Sequence, residues 1–251
     1  VNIYNVEISS VGDGSDAALD VSGGNPVLYQ VTFADNSDDA IHVADSANVT
    51  AHNIAFYSTG SHWESEDGCT ISVTYSLTDS SGTGNIAVEP GFLGVDNYKL
   101  AASSLLINAG DIANTDADGS RSDIGAYPYN NDFNGPIWYV TTAGDDTSGT
   151  GSNDSPFASV QAAINFATTA GDSIAVGSGT FTENVHFRGR QVKVHGTGYY
   201  STVIDGGSAG SVVHFDGGED QSTVLADMTL ENGSADYGGG IYAYNASPIL
   251  K

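Results

Sequence analysis

The chain has 251 residues, of which 31 are Asp or Glu and six are Lys or Arg, so its formal net charge at pH 7 is −25. A chain this acidic repels other polyanions, which excludes nucleic acid and anionic membrane surfaces as partners. We also predict no membrane insertion, because no run of residues has the apolar length that spans a bilayer. The length suits one elongated domain or two small ones.

The first third of the chain consists of short bursts in which apolar and polar residues alternate, with Gly, Asn, Asp and Ser between them. Such alternation is typical of β-strands, and these small polar residues are typical of turns. One ladder of bursts lies at residues 6–8, 31–33, 54–56 and 73–75. A second ladder, at 19–21 and 41–43, interleaves with it. A period of roughly 20–25 residues predicts an all-β solenoid whose coils pair with the coils above and below.

A loop rich in oxygen side chains follows within residues 83–129. Its side chains alternate with other residues, and a glycine follows the third of them; the four candidate ligands are Asn114, Asp116, Asp118 and Asp123. This spacing lets a loop wrap a hard cation and predicts a structural Ca²⁺ site. The loop lacks the carboxylate that a full helix–loop–helix calcium site has at its twelfth position, where Gly125 stands. The alternative is a polar turn in which Arg121 pairs with Asp123.

Residues 131–137 are predicted to be a linker, and the helical pattern of residues 157–167 stands out from the strands around it. Ser155 and Pro156 precede this pattern, and Val160, Ile164 and Ala167 share one face of it. A solenoid must cover its first coil, because an open strand edge templates aggregation. We therefore predict that this short amphipathic helix caps a solenoid, and strand bursts resume directly after it.

The last residues of the chain match the second ladder. Seven positions separate Ile241 from Pro248, as they separate Leu19 from Pro26 and Ile41 from Asn48. Written before the first residues, the tail continues the coil pattern, which predicts a head-to-tail interface formed by Val1, Ile3, Val6, Ile8, Ile241, Pro248, Ile249, Leu250 and Lys251.

Two stretches carry a resemblance to a known family. Residues 137–189, with the SPF motif at 155–157, QAAI at 161–164 and GTF at 179–181, resemble the amino-terminal cap of right-handed parallel β-helix proteins of the pectin-lyase-like superfamily. Residues 83–129, with NAGD at 108–111 and DIGAY at 123–127, resemble the closing tail of large secreted bacterial β-helix proteins. The resemblance implies a right-handed parallel β-helix with a short capping helix, and an extracellular or cell-surface location.

The order of these two stretches sets the domain organisation. The closing motif precedes the capping motif, so we interpret residues 1–130 as the last coils and tail of one β-helix. Residues 138–251 are then the cap and first coils of the next.

The resemblance implies less about activity, since one fold hosts many functions. Lyases of the family use Ca²⁺ with a basic residue, and the candidates here lie outside mid-helix coils: Lys99, Arg121, Arg188, Arg190, Lys193 and Lys251. Hydrolases of the family use paired aspartates, for which Asp38 and Asp39, with His42 nearby, are the candidates; a polar corner is the alternative.

The sequence as a whole favours a structural unit over an enzyme. We expect copies to join head to tail in an extracellular filament or surface fibre, through coil stacking across the Lys251/Val1 junction. Two alternatives stay open: a polysaccharide-active enzyme, and a carbohydrate-binding adhesin module that uses Trp63 and tyrosines.

Overall fold

The computed structural model describes residues 2–12 and 17–251. They form two compact units, Val1–Asn130 and Asn131–Lys251. The structure is nearly all β, with parallel strands stacked as a β-solenoid, and the described residues contain one short helix. The predicted fold class is therefore confirmed. No helix in these residues combines the length and the apolar character that crossing a membrane requires.

The first unit is built from short strands in two parallel sheets and one hairpin. Its described strands are β1 (Ile3–Ser9), β2 (Leu19–Ser22), β3 (Val27–Ala34), β4 (Ile41–Ala44), β5 (Asn48–His52), β6 (Ala55–Tyr57), β7 (Trp63–Ser65), β8 (Thr70–Thr74), β9 (Phe92–Gly94) and β10 (Asn97–Leu100). One sheet has the order β1-β3-β5-β8, with β6 also on β3, and the other has the order β2-β4-β7. Strands β9 and β10 pair antiparallel. The strands from β1 to β5 thus alternate between the two sheets, as expected of coils, whereas the consecutive strands β5 and β6 both pair with β3.

Apolar columns run through the stacked coils of this unit. Phe33 near the end of β3 is fully buried, and it pairs with Ile8 on one side and with Phe56 on the other. The rings of Phe33 and Phe56 stack with their centroids 5.5 Å apart. Burying side chains of this size stabilises the fold by about 1.5–3 kcal/mol each, so these columns provide much of the stability of the unit.

The first ladder is confirmed for three of its four rungs. Residues 6–8, 31–33 and 54–56 lie in register, but the fourth rung at 73–75 was predicted wrongly. Val73 pairs with Ala51, and Leu77 is the residue that bridges to Ala55. The predicted rung lies too close in the chain to the rung before it. Residues 70–74 form the strand that precedes a corner, and the spacing of 19 residues from Phe56 to Tyr75 is shorter than one coil needs.

The second ladder is confirmed between 19–21 and 41–43, and the structure extends it to Trp63 in β7. The predicted corner pairing of Pro26 with Asn48 is off by one residue. Asn48 Nδ2 donates to Asn25 Oδ1 at 3.2 Å, and the Thr70 hydroxyl donates to Asn48 Oδ1 at 2.7 Å. A ladder of side-chain hydrogen bonds therefore fixes this corner.

Residues 106–129 close the first unit as a strap that crosses its coils. Gly125 N–H donates to the Asn53 carbonyl, and Ala126 N–H donates to Thr32 Oγ1 at 2.9 Å. The Tyr127 hydroxyl is hydrogen-bonded to Glu7. Because Asn53, Thr32 and Glu7 belong to three successive coils, the DIGAY segment advances one coil per residue along the solenoid.

The second unit has three parallel sheets. Its strands are β11 (Ile137–Val140), β12 (Ser173–Val176), β13 (Gly179–Thr182), β14 (Val185–His186), β15 (Lys193–His195), β16 (Thr202–Asp205), β17 (Val213–Phe215), β18 (Val224–Ala226), β19 (Thr229–Glu231), β20 (Ile241–Ala243) and β21 (Ile249–Leu250). The sheet orders are β11-β12-β15-β18-β21, β13-β16-β19 and β14-β17-β20. Three successive coils each contribute one strand to each sheet, and β11 and β21 extend the first sheet at its two ends.

The helix α1 (Val160–Phe166) lies among buried side chains at the β11 end of this unit. It contacts β11, β12 and β14, and Phe166 stacks with Trp138 and Phe157. Ser159 is its N-cap residue and accepts from Ala162 N–H. The helix is shorter than the predicted span of 157–167, because the residues before Val160 bind the 145–146 loop instead.

Candidate functional site

The predicted assembly residues of the first unit lie on an outer strand. Among the described residues, β1 pairs with β3 alone. Ile3 and Ile8 are half-buried, whereas Val6 is 37% exposed and Tyr4 is 51% exposed. Their partners in β3 are more buried, so the outer side of β1 presents strand backbone and apolar side chains. Val1 lies outside the described residues.

The predicted assembly residues of the second unit also lie on outer strands. In the described part of the chain, β19, β20 and β21 each have one strand neighbour, on the cap side. Ile241 and Ile249 are half-buried, Leu250 is 53% exposed, and Pro248 directly precedes β21. The equivalent residue of the next inner coil, Val213, is 1% exposed. Among the described residues, no strand pairs with the outer side of this coil in any of the three sheets.

The candidate acid–base residues lie in and just after the turn before β4. Asp38 Oδ1 accepts from Asp39 N–H, and Asp39 Oδ1 accepts from Ser61 N–H, each at 3.0 Å. His42 points from β4 towards other carboxylates: its Nδ1 is 3.4 Å from Asp20 Oδ1. The two aspartates therefore hold a corner to the next coil, and His42 pairs with neither of them in the contacts described.

The candidate calcium residues lie in the strap. Asp116 accepts from Gln30 Nε2 and from Asp123 N–H, each at 2.8 Å. Asp118 Oδ1 accepts from Ser120 N–H at 2.9 Å, and Asn114 takes part through its backbone. Among the described residues no group of three or more His, Cys, Asp or Glu side chains is arranged to hold a metal ion. Calcium binding here stays a prediction.

Asp123 is the most deeply buried of these residues, at 1% exposed. Its two carboxylate oxygens accept from Asn108 N–H and Tyr129 N–H, each at 2.7 Å. Burial raises its pKa to about 8, while the two N–H donors act in the opposite direction. Arg121 donates to the carbonyls of Gly110 and Ala109. The strap is thus fixed by hydrogen bonds to buried oxygens.

No family model, curated protein or solved structure matched the chain.

A groove of the first unit gathers aromatic rings and carboxylates that the sequence did not single out. It consists of two adjoining clefts of about 380 and 510 Å³ that share Tyr57, Glu89 and Pro90. Residues 77–98 form one wall, and the coils of β3 and β6 form the other. We call it the Tyr57 groove; its principal side chains are Asp35, Tyr57, His62, Asp79, Glu89 and Phe92.

Ring contacts order the walls of the Tyr57 groove. Phe92 meets Tyr57 edge to face at 5.4 Å and Tyr98 at 5.5 Å. The Tyr98 hydroxyl donates to Asp35 Oδ2 at 2.7 Å, and burial with this carboxylate raises the pKa of Tyr98. These contacts hold a half-exposed ring, Tyr57, between the two clefts.

His62 is the one titratable nitrogen among the lining residues described. Its ring stacks on Phe56 at 4.9 Å, its Nδ1 lies 2.7 Å from Thr78 Oγ1, and Asp79 is 3.4 Å away. Burial lowers the pKa of His62 despite Asp79, so the imidazole is neutral near pH 7. The groove therefore presents hydrogen-bonding groups and negative charge.

Sequence reasoning missed this groove because its walls are distant in the chain. Tyr57 marks the end of a ladder rung, which is a local signal, but nothing in the sequence pairs it with residues 89–98. Trp63, the predicted sugar-stacking residue, instead lies in β7 with its ring 5.7 Å from Phe56 and packs against the core.

Proposed function

We propose that this chain is a structural module of an extracellular or cell-surface filament, whose copies associate head to tail by stacking β-solenoid coils across the Lys251/Val1 junction. The observation that carries the proposal is the pair of uncovered coils: β1 on the first unit, and β19, β20 and β21 on the second. The resemblance to secreted β-helix proteins supports the location.

Edge strands of this kind attract further strands. An unpaired row of N–H and C=O groups is a template for another chain, and β-strand addition supplies affinity through main-chain hydrogen bonds. Apolar columns that end at Val6 and Leu250 would continue into the added coil. Because the two outer coils differ, the contact is heterologous and generates a filament if it does not close into a ring.

The net charge of −25 sets the conditions for association. Like-charged copies repel one another, but the screening length falls to about 8 Å at physiological ionic strength. We therefore expect association to strengthen with salt, and to be weakest in dilute buffer.

Electron microscopy and light scattering of the purified protein at low and moderate salt test the proposal. We expect filaments or linear oligomers that lengthen with salt. Val6→Lys, which places a charge on the outer edge of β1, should shorten them sharply. Ile112→Lys is the matched control, because Ile112 is 71% exposed and its neighbour Asp111 binds Asn53, two coils away from β1.

Discrete particles at every salt and protein concentration would overturn the proposal. Equal shortening by Val6→Lys and Ile112→Lys would overturn the assignment of the interface to β1, because charge alone would then account for the effect.

A second candidate function, carbohydrate binding, is favoured by the Tyr57 groove. Aromatic rings beside carboxylate and hydroxyl groups suit the apolar face and the hydroxyl rim of a neutral sugar, and the negative charge disfavours uronates. The catalytic alternative at Asp38, Asp39 and His42 has no comparable support, because both aspartates bind backbone N–H groups.

Titration with neutral oligosaccharides, followed by isothermal calorimetry, tests the second candidate. Binding should be lost in Tyr57→Ala and retained in Tyr200→Ala, which removes a ring that is exposed outside the groove. Equal affinity of the two variants would exclude the groove as the site.

A further inference from the structure

Two imidazole rings stack on the outer face of the second unit. His186 in β14 is in register with His214 in β17, and their ring centroids lie 4.1 Å apart with the planes inclined by 10°. Both residues are half-buried, whereas Val185 and Phe187, which flank His186, point into the core and are 1% and 0% exposed. Because paired parallel strands lie about 4.8 Å apart, coil stacking itself holds the two rings in contact. We call His186 and His214 the histidine pair.

The surroundings of the histidine pair offer little compensation for positive charge. The charged groups that act on His186 are Arg188 and Asp216, and Asp216 also acts on His214. The helix α1, which packs against β14, has no charged side chain, and β20 presents the Tyr242 ring to His214 at 5.7 Å. Protonation of both imidazoles would therefore place two positive charges in contact, beside the guanidinium of Arg188.

Burial and mutual repulsion both favour the neutral imidazoles. Burial lowers the pKa of His186 to about 4, and His214 and Arg188 act in the same direction, against Asp216. Burial also lowers the pKa of His214, again against Asp216. A histidine whose pKa is lowered by folding contributes stability above its unfolded pKa of about 6.5. For His186 that contribution is lost as the pH falls from this value towards about 4.

The backbone of His186 is also an attachment point of α1. Its N–H donates to Gln161 Oε1 at 2.7 Å, and its carbonyl accepts from Gln161 Nε2 at 3.2 Å. Gln161 Nε2 also donates to Asn165 Oδ1, which accepts from Arg188 Nη1 at 2.6 Å. Gln161 is 5% exposed and Asn165 is fully buried. The side-chain amide of Gln161 thus pairs with β14 as a neighbouring strand would, so the docking of α1 depends on the position of His186.

On its other side, β14 is held by a short stretch of backbone pairing. The strand has two residues. Val185 N–H donates to the Val212 carbonyl at 2.8 Å, and Phe187 N–H donates to the His214 carbonyl at 3.1 Å. A force that parts the two rings therefore acts on a strand that few backbone hydrogen bonds keep in place.

We propose that the histidine pair is an acid-sensitive switch, whose protonation parts β14 from β17 and releases α1 from the coils. The contact of Phe166 with Trp138 is then broken, and the second unit opens at its α1 end while the later coils stay paired. This inference is independent of the proposed association, because it concerns contacts within one copy.

Glu183, which also binds α1, cannot cause this response to acid. Burial raises its pKa to about 7, so its contribution to stability is greatest at low pH and falls as the pH rises. The sign of the pH dependence therefore distinguishes the histidine pair from the other titratable group that faces α1.

Hydrogen–deuterium exchange of the full-length chain between pH 7.5 and pH 5 tests the switch. Protection factors, which are corrected for the effect of pH on exchange chemistry, are compared for peptides that cover residues 160–187 and for peptides that cover β16. From the lowered pKa of His186, the opening equilibrium at residues 160–187 should rise roughly thirtyfold between these pH values. Protection of β16 should change much less.

Variants of the histidine pair identify the group responsible. His186→Phe keeps a ring in the stack and removes the charge, so the acid-induced loss of protection should nearly disappear. His195→Phe is the matched control and should keep the full loss, because His195 lies in β15 of another sheet, 3.8 Å from Asp227. His214→Phe gives an independent test should His186→Phe fail to fold, and it too should reduce the loss.

Two results would overturn the proposal. Protection of residues 160–187 that stays constant down to pH 5 would show that the protonated rings turn to solvent without moving β14. An acid-induced loss of the same size in the unchanged chain and in either variant of the histidine pair would show that another group causes the opening.

Discussion

Each unit has a segment that packs against its coils, α1 in the second unit and the strap in the first. We call these segments closures, and the two are held in different ways. In the second unit a coil side chain holds the closing segment: Glu183 accepts from Val160 N–H and Gln161 N–H at 2.8 and 2.9 Å. In the first unit the strap carries its own acceptor, Asp123, and reaches the coils through Gln30 and Thr32. Both closures add a few buried polar contacts to their apolar packing, whereas the stacked coils depend on apolar columns.

This difference separates the stability that comes from apolar packing in the columns from the stability that comes from polar contacts in the closures. A column side chain loses dispersion contacts and burial when it is truncated, at any pH. A carboxylate that satisfies two N–H donors leaves both without a partner when it is removed, and its contribution changes with protonation. Substitutions in the columns and in the closures should therefore differ in size and in pH dependence.

The largest effect is expected in a column. Phe33→Ala should lower the free energy of unfolding of the first unit by about 3–5 kcal/mol, because the cavity lies between Ile8 and Phe56. Ile8→Ala, in the same column on the outer strand, should cost less than half as much. Chemical denaturation measures both, and equal losses would show that β1 is as well packed as β3.

Removal of the Glu183 contact with α1 should have the second-largest effect on stability. Glu183→Ala should cost the second unit about 2–4 kcal/mol, because two N–H groups at the start of α1 lose their acceptor. Glu183→Gln, which keeps one acceptor oxygen, is the matched control and should lose about half. Amide exchange at Val160 and Gln161 would report the change locally, and unchanged protection would contradict this role.

Gly125→Ala should weaken the strap by about 1–3 kcal/mol. The φ of Gly125 is +106°, and an added Cβ would lie 3.0 Å from Thr32 Oγ1 and 3.4 Å from Ala55 Cβ. Gly119→Ala, also at positive φ but with open space around it, is the control that isolates the steric part. Similar losses in the two variants would mean that backbone conformation alone matters.

The pH dependence should separate the closures from the columns. Burial raises the pKa of Asp123 to about 8 and that of Glu183 to about 7, above the values near 4 of unfolded chains. Each of these carboxyl groups holds its proton more tightly in the folded unit than in the unfolded chain, so its contribution to stability falls as pH rises, from about 4 to 8 for Asp123 and from about 4 to 7 for Glu183. In the second unit burial lowers the pKa of His186 to about 4, which acts in the opposite direction, so we expect the net decline in the first unit. Melting curves should show this decline in Phe33→Ala and a shallower one in Asp123→Asn.

Calcium should have the smallest effect. Because Asp116 and Asp123 already accept protein N–H groups, saturating Ca²⁺ should raise the melting temperature by less than about 2 °C relative to chelator. A larger rise that disappears in Asp116→Ala would instead support the predicted calcium loop.

The fold could be predicted from the sequence because its coil pattern repeats. The Tyr57 groove could not, because the residues that form it are far apart in the chain. The ladder at 6–8, 31–33 and 54–56 gave the coil register because alternation and period report the same inward positions. The DIGAY segment was predicted to be a closing tail from a resemblance alone, and its contacts with Thr32 and Glu7 depend on how far apart the coils lie. The Tyr57 groove needs residues 89–98 to fold back on the coils, and no local pattern encodes that return.

Gln30 and Asn53 both have a left-handed backbone, with φ of 52° and 57°, and each marks a corner of its coil. These corners have a consequence for how such a protein changes length. Since each corner begins a coil of the same form, a genetic duplication that starts and stops at corners inserts one complete turn and preserves the inward columns on both sides. Duplications whose length is not a whole number of coils would turn apolar side chains outward. Growth by whole turns is therefore the route by which this architecture can lengthen without losing its core.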